Sequence, residues 1–313
     1  MRPLRLVPDG TTIQFMRGRF AGVIVSAVLS TISVVLFFYP GLNLGVDFRG
    51  GVVVELRGPH PLATDAIRQA FAPLGLGDLR VQEFGSPEDV LDRFDNKTQL
   101  EDSQRLLAAR VAAALPDVQI RRVEVVGARV SGELFRNGLL ATALALVAVL
   151  LYIWFRFEWQ FGVGVVVTLI LDVTKTIGFF AITQIEFDLN SVAALLTLIG
   201  YSVTDKVVVY DRIRENLGKF RSMPLRPLID LSINQTLSRT VATSLTVVLS
   251  ILPLALIGGE VMRGFALAII FGIIVGTSSS IFIASPILLF LGEKRLRPAV
   301  NRVPPAGRSV AAR

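Results

Sequence analysis

The chain has 313 residues, 52% of them hydrophobic, with a mean hydropathy of +0.60. That is too apolar for a water-soluble domain and indicates a polytopic membrane protein. The net charge of +7 does not signal a nucleic-acid partner, because the basic residues gather at the ends of apolar runs, and the absence of cysteine excludes disulfides and thiolate chemistry.

Residues 1–19 are polar and carry Arg2, Arg5, Arg17 and Arg19. Residues 20–39 form the first predicted span, about as long as a bilayer is thick and closed by Pro40-Gly41. No small-residue cleavage site follows it, so it reads as an uncleaved anchor. Residues 40–136 have the composition of a soluble domain. Strands are predicted there at 52–56, 79–84, 90–94 and 118–126, with helices at 65–72, after Thr64 as N-cap, and 99–115. The order strand, helix, strand, strand, helix, strand is ferredoxin-like α+β. Lone His60 sits in a Gly-Pro-His-Pro loop, and the domain holds no catalytic constellation.

Five more apolar runs follow at 139–155, 161–181, 189–209, 241–257 and 265–291, making a five-helix block over 137–291. Orientation follows the basic residues of the loops. Arg212, Arg214, Lys219, Arg221 and Arg226 lie between the fourth and fifth spans. Lys294, Arg295, Arg297, Arg302, Arg308 and Arg313 lie in the tail, 292–313, while the loop between the third and fourth spans has only Glu186 and Asp188. Both termini are therefore expected in the cytoplasm, with residues 40–136 on the outer face of the membrane.

Charges inside spans cost about 2.5–3.5 kcal/mol each on insertion scales and are functional candidates by default. Here they are Asp172 and Lys175 in the third span, Asp205 and Lys206 in the fourth, and Arg239 opening the fifth. Asp205 precedes the cytoplasmic end of one span and Arg239 follows the cytoplasmic start of the next, so similar depth is expected. Arg239, Thr243, Thr246 and Ser250 share one helical face. A carboxylate facing a guanidinium and hydroxyls can load and release a proton as its surroundings alternate. The alternative is a static ion pair that sets helix register. Lys175, one turn from Asp172, can neutralise it, so Asp172 reads equally as relay member or local pair. The lysines have a second option, to snorkel away toward a partner or the interface. Residues 211–216 read as a cytoplasmic helix end lying at the interface. In the last span Ala268, Gly272, Gly276, Ser280 and Ala284 recur every four residues, which suits a tight contact inside the bundle or a seam against a second protein.

Two stretches carry a resemblance. One is Gly41-Leu-Asn-Leu-Gly-Val-Asp-Phe-Arg-Gly-Gly51. The other is Gly200-Tyr-Ser-Val-Thr-Asp-Lys-Val-Val-Val-Tyr-Asp-Arg-Ile-Arg-Glu-Asn216, followed by Ile233-Asn-Gln-Thr-Leu-Ser-Arg-Thr-Val-Ala-Thr-Ser244. In this order and spacing they resemble the SecF-type members of the SecD/SecF family, within the resistance-nodulation-division (RND) superfamily, over nearly the whole chain. The resemblance implies an RND-type half of six helices with the α+β domain inserted after the first. It implies SecD as pseudo-symmetric partner, with the SecYEG channel, a translocating preprotein, membrane lipid and YajC as further contacts. The implied activity is use of the proton-motive force to complete preprotein export across the bacterial cytoplasmic (inner) membrane. No bond-making chemistry and no cofactor beyond the proton gradient are expected. Family positions for proton movement fall on Asp205 and Arg239, with Asp172 a third candidate and Lys206, Lys175 and Thr243 as modulators. Gly45, Asp47, Gly50, Gly51 and Gly200 read as structural motif positions, those around Asp47 shaping the turn into the outer domain. Lys206, Leu171 and Lys175 depart from the family pattern, which favours a small polar residue at the first position and histidine at the second. The rival readings are half of a small-molecule RND exporter and a passive scaffold for the channel.

Overall fold

Among the described residues, six helices are long and apolar enough to cross a membrane, and a four-stranded sheet is inserted between the first and second of them. The computed structural model describes residues 7–8, 11–60, 62, 67, 69, 79–84, 86–94, 109, 112–113 and 117–291. The first span is α1 (Arg19–Phe38), led in by a 3-10 turn at Phe15–Gly18. A one-turn helix, α2 (Val46–Arg49), then enters β1 (Gly51–Arg57) through Gly50 and Gly51. Their φ angles of 73° and 124° belong to a region that side-chain-bearing residues rarely adopt.

β2 (Leu79–Phe84), β3 (Ser86–Phe94) and β4 (Gln119–Val126) complete the sheet in the order β2-β3-β1-β4, every neighbour antiparallel. This is the ferredoxin-like order the sequence suggested. β3 begins at Ser86 rather than at 90, because it turns tightly back on β2 and pairs Ser86 with Phe84. β1 alternates as a strand must: Val52, Val54 and Leu56 pack with Ile67 and Val90 on one face, and Val53 meets Val46 and Val126 on the other. The helices expected at 65–72 and 99–115 lie largely outside the described residues; within them, residues 67, 69, 109, 112 and 113 are helical.

The remaining spans are α3 (Ala128–Arg156), α4 (Trp159–Thr183), α5 (Leu189–Lys219), α6 (Leu225–Ile257) and α7 (Gly259–Ser279). α7 runs through a π-helical turn (Ser280–Ala284) into α8 (Ser285–Leu291), completing the sixth span. α3 and α6 start well before their apolar runs, because helical hydrogen bonding continues through polar residues. α5 likewise runs on to Lys219. Residues 211–216 are thus its closing turns, with Asp211 paired to Arg156 at 3.0 Å and buried Asn216 donating to Ser232 and Gln235 of α6. Residues before α1 are strapped to α6 as well. The Asn234 amide exchanges two hydrogen bonds with the Ile13 backbone, and Asp230 accepts from the amide of Met16, which is fully buried.

Burial separates inner from outer helices. More than half of an apolar 18-residue stretch of α5 and of the sixth span is buried, against 17%, 6% and 11% for such stretches of the first, second and fifth spans. α1 is inverted relative to a soluble helix: Ser26, Ser30 and Ser33 point inward while Ile24, Val28 and Val35 are exposed. Lipid as solvent explains both faces, since apolar side chains meet hydrocarbon and small ones allow close helix approach, here of Ser33 to Gly178 of α4.

The small-residue stripe of the sixth span is an internal seam. A Cβ on Gly272 would lie 2.8 Å from Leu198 Cγ of α5, and one on Gly276 would lie 3.4 Å from Ser202. Gly272→Ala is therefore expected to cost about 1–3 kcal/mol through overpacking. Thermal unfolding in detergent reads this out against Gly200→Ala, where the added methyl meets nothing within 4 Å and no loss is expected.

Candidate functional site

Where α4, α5, α6 and the sixth span meet, two carboxylates are buried, each held by side chains from other helices. Asp205 of α5 is 7% exposed. Its Oδ1 accepts from Thr240 Oγ1 of α6 at 2.9 Å, and its Oδ2 is 2.5 Å from Ser280 Oγ, at the first residue of the π-helical turn. Asp172 of α4 is 5% exposed. Its Oδ2 accepts from Lys206 Nζ at 2.8 Å, Ser202 Oγ at 2.8 Å and Ser279 Oγ at 2.7 Å. Consecutive serines, Ser279 and Ser280, thus hold the two acids, and the change from α- to π-helix falls between them. π-turns inside helices recur at functional positions.

The two acids differ in charge balance. Lys206 is fully buried and bound to Asp172, Ser202 Oγ (2.5 Å) and the Ser202 carbonyl (3.3 Å). Lys175 adds a second ammonium 3.9 Å from Asp172 Oδ1, an oxygen with no hydrogen-bond partner. Two ammonium groups thus face the Asp172 carboxylate. Among the described residues no ion pair reaches Asp205. Its hydrogen-bond partners are hydroxyls, which donate to an ionised carboxylate or accept from a protonated carboxyl. Ser280 Oγ also lies 2.8 Å from the Thr277 carbonyl, so its own proton has a place to go when Asp205 donates. Both protonation states can be satisfied, which is what a group that loads and unloads a proton requires.

Several sequence expectations change. Asp205 and Arg239 do not face each other: Arg239 is exposed and Thr240 takes the position opposite Asp205. The matched depth holds, but consecutive helical residues point about 100° apart, so when Thr240 faces inward Arg239 cannot. The static Asp205–Arg239 pair falls on the same geometry. Lys175 is not the nearer cation to Asp172; Lys206, from the next helix, is. Neither lysine snorkels, both being buried. Thr243 is exposed and bonds only to carbonyls of its own helix. Arg239, Thr243, Thr246 and Ser250 do share a face, and all four are exposed on it. Gly200 is also exposed, on α5. Gly45, Asp47, Gly50 and Gly51 lie at the sheet end of the bundle, away from both acids.

Thr240, Ser202, Ser279 and Ser280 were not singled out as site residues. The available signal was the run Thr277-Ser-Ser-Ser280 inside an apolar span. A second polar chain leads through the bundle, from Tyr201 of α5 to Ser244 of α6 (2.7 Å) and on to Thr277 (2.8 Å).

Comparison with known proteins agrees with this architecture. Residues 107–294 match the family model for the C-terminal part of the protein export membrane proteins SecD/SecF, and residues 35–57 match the SecD/SecF GG motif. The chain is 41% identical to the protein translocase subunit SecF of Rickettsia bellii over 296 residues, covering 94% of this chain and 98% of that one. It is 41% identical over 308 residues to the SecF subunit of Rhodobacter capsulatus, covering 93% and 92%. Among solved structures it is similar to SecDF from Thermus thermophilus, described as a translocon-associated membrane protein, with a TM-score of 0.82 and 35% identity over 92% of this chain. A SecDF structure in a super-membrane-facing form gives 0.69 and 33% over 97%. The chain spans only 40% and 42% of the length of those two SecDF chains.

Proposed function

The chain belongs to the SecD/SecF family of protein-export membrane proteins, and from that we propose that it is a SecF-type subunit that, with SecD, uses the proton-motive force to promote late steps of preprotein export. The observation that carries this reading is Asp205: buried, free of ion pairs among the described residues, and satisfied in either protonation state. Asp205 is the proton carrier in this proposal. Asp172 is the fixed counter-charge of Lys206. The subunit makes and breaks no covalent bond and takes no cofactor beyond the gradient.

Arg239 supports the partnership with SecD. A guanidinium that faces outward from a span costs about 2.5–3.5 kcal/mol in lipid unless protein or water covers it. Thr243, Thr246 and Ser250 extend the same uncovered polar face. SecD is the natural cover, since the solved SecDF chains are more than twice the length of this one. Residues 40–136 then face outward toward the emerging preprotein at SecYEG and YajC, with both termini in the cytoplasm. The basic residues between α5 and α6 and in the tail support that orientation.

The test is preprotein translocation in membrane vesicles containing the full complex, with and without a proton gradient. The chain is expected to raise translocation only when the gradient is present. Equal stimulation without it would favour a passive scaffold, and efflux of small molecules with no export effect would favour an exporter. Arg239→Met is expected to remove the stimulation while leaving the isolated chain no less stable, since without a cover the exposed guanidinium is itself costly.

A further inference from the structure

The Gly41–Gly51 stretch ends at the sheet, far from Asp205, and the proton-carrying site makes no use of it. We propose that Asp47 is a positioning residue that joins the start of α5 to the root of the sheet domain, so that displacement of the helix carrying Asp205 is passed directly to that domain. The proposal rests on the proton-driven reading above.

The joint is built from both sides. α5 is capped by Asp188, whose Oδ1 accepts from Ser191 N at 2.8 Å. The first N–H groups of a helix have no acceptor within it, and negative charge beside them is favourable. One of these groups, Leu189 N, is met by Asp47 Oδ2 at 3.0 Å, the one hydrogen bond that the Asp47 side chain makes among the described residues. Asp47 therefore serves α5, not its own single turn. Alongside, Leu44 and Phe187 form a parallel bridge, with Phe187 N donating to Asn43 O at 2.8 Å and Gly45 N to Phe187 O at 2.9 Å. Asn43 Nδ2 donates to Gln184 O at 2.9 Å, and Gln184 Nε2 to Gly41 O at 3.0 Å. The Phe48 ring packs against Phe187 and against Phe135 of α3, with centroids 5.9 and 5.6 Å apart.

Each side of this joint leads somewhere definite. On one side β1 begins at Gly51, four residues after Asp47. On the other, α5 is continuous to Asp205, sixteen residues on, about 24 Å along the axis. A rigid helix tied at its outer end to a strand root is the contiguous element that coupling between distant sites needs. Coupling of this kind is typically worth about 5–150-fold.

The test uses the full chain with its partner in proteoliposomes. Because the chain has no cysteine, His60→Cys and Ile182→Cys can carry spin labels that report the distance between the sheet domain and the bundle. The parent is expected to change that distance when a proton gradient is applied. Asp47→Ala is expected to lose the change and to lower gradient-driven export about tenfold, with pH-dependent labelling of Asp205 by a hydrophobic carbodiimide unaltered. Asp47→Asn, which keeps an acceptor oxygen, is expected to restore part of both and controls for misfolding. Retention of the gradient-driven distance change in Asp47→Ala would overturn the proposed joint. If Asp205→Asn retained it, the proton-carrier reading would fail first, and the joint with it as a coupler of that site.

Discussion

Asp205→Asn is expected to abolish gradient-driven stimulation of export while leaving the chain folded. The amide is nearly isosteric with the carboxyl, and its oxygen and NH2 can serve Thr240 and Ser280 in place of Oδ1 and Oδ2. Ser280 can turn its own proton to the Thr277 carbonyl, 2.8 Å away, when it must accept. What asparagine cannot do is take up and release a proton. One charge crossing 100 mV yields about 2.3 kcal/mol, a bias of about 40-fold in an equilibrium at 1.4 kcal/mol per tenfold. That bias is what the variant forfeits. Translocation in vesicles at fixed gradient, alongside thermal unfolding in detergent, separates lost driving force from lost structure. A normal gradient response in Asp205→Asn would sink the relay.

Lys206→Met is expected to act on stability instead. It removes the ammonium 2.8 Å from Asp172 Oδ2 and leaves Lys175, 3.9 Å from the other oxygen, as the remaining cation. Breaking a buried pair from one side costs about 3–5 kcal/mol where the other charge is stranded; here Lys175 stays as counter-charge to Asp172, so the loss is expected at or below the lower end of that range. Replacing both partners costs much less, because the penalty lies in the uncompensated charge and not in the missing contact. Here the charged partners number three, so the triple variant Lys206→Met/Asp172→Asn/Lys175→Met, which leaves none of them buried alone, is expected to recover most of the loss in thermal stability and in amount accumulated in the membrane. If the single variant unfolds at the parent's temperature, Asp172 is not a fixed counter-charge and regains its standing as a second proton carrier.

Together the two variants assign separate work to acids that look alike along the chain. Asp205 has only hydroxyls as hydrogen-bond partners; Asp172 has two ammonium groups within 4 Å as well. Lys206 makes that difference although it is adjacent to Asp205 in sequence, because its side chain turns across to α4.

Much was legible from residue order. The six apolar runs and the strands of the inserted domain follow from hydropathy and alternation, which are properties of single segments, and the strand order from matching their succession to a ferredoxin-like arrangement. The intramembrane charges announced themselves through their cost in lipid. The small-residue stripe from Ala268 to Ala284 marked a close helix contact, and its backbone spacing needed no knowledge of the neighbour. Which side chains meet was not legible, because it depends on the rotation of each helix about its axis. One position is a turn of about 100°. That turn substitutes Thr240 for Arg239 opposite Asp205, and sends Arg239 outward.

By itself, then, the sequence determined how many segments cross the membrane, where the sheet is inserted and which charges had to matter, since transfer costs are summed residue by residue. Only the tertiary structure decided the partners. Helix rotation placed Lys206 on Asp172 and set Ser279 and Ser280 on different acids, and the fold brought Asp47 to Leu189 across 142 positions of chain. Those pairings arise from packing between segments, a three-dimensional quantity that no periodicity along one segment encodes.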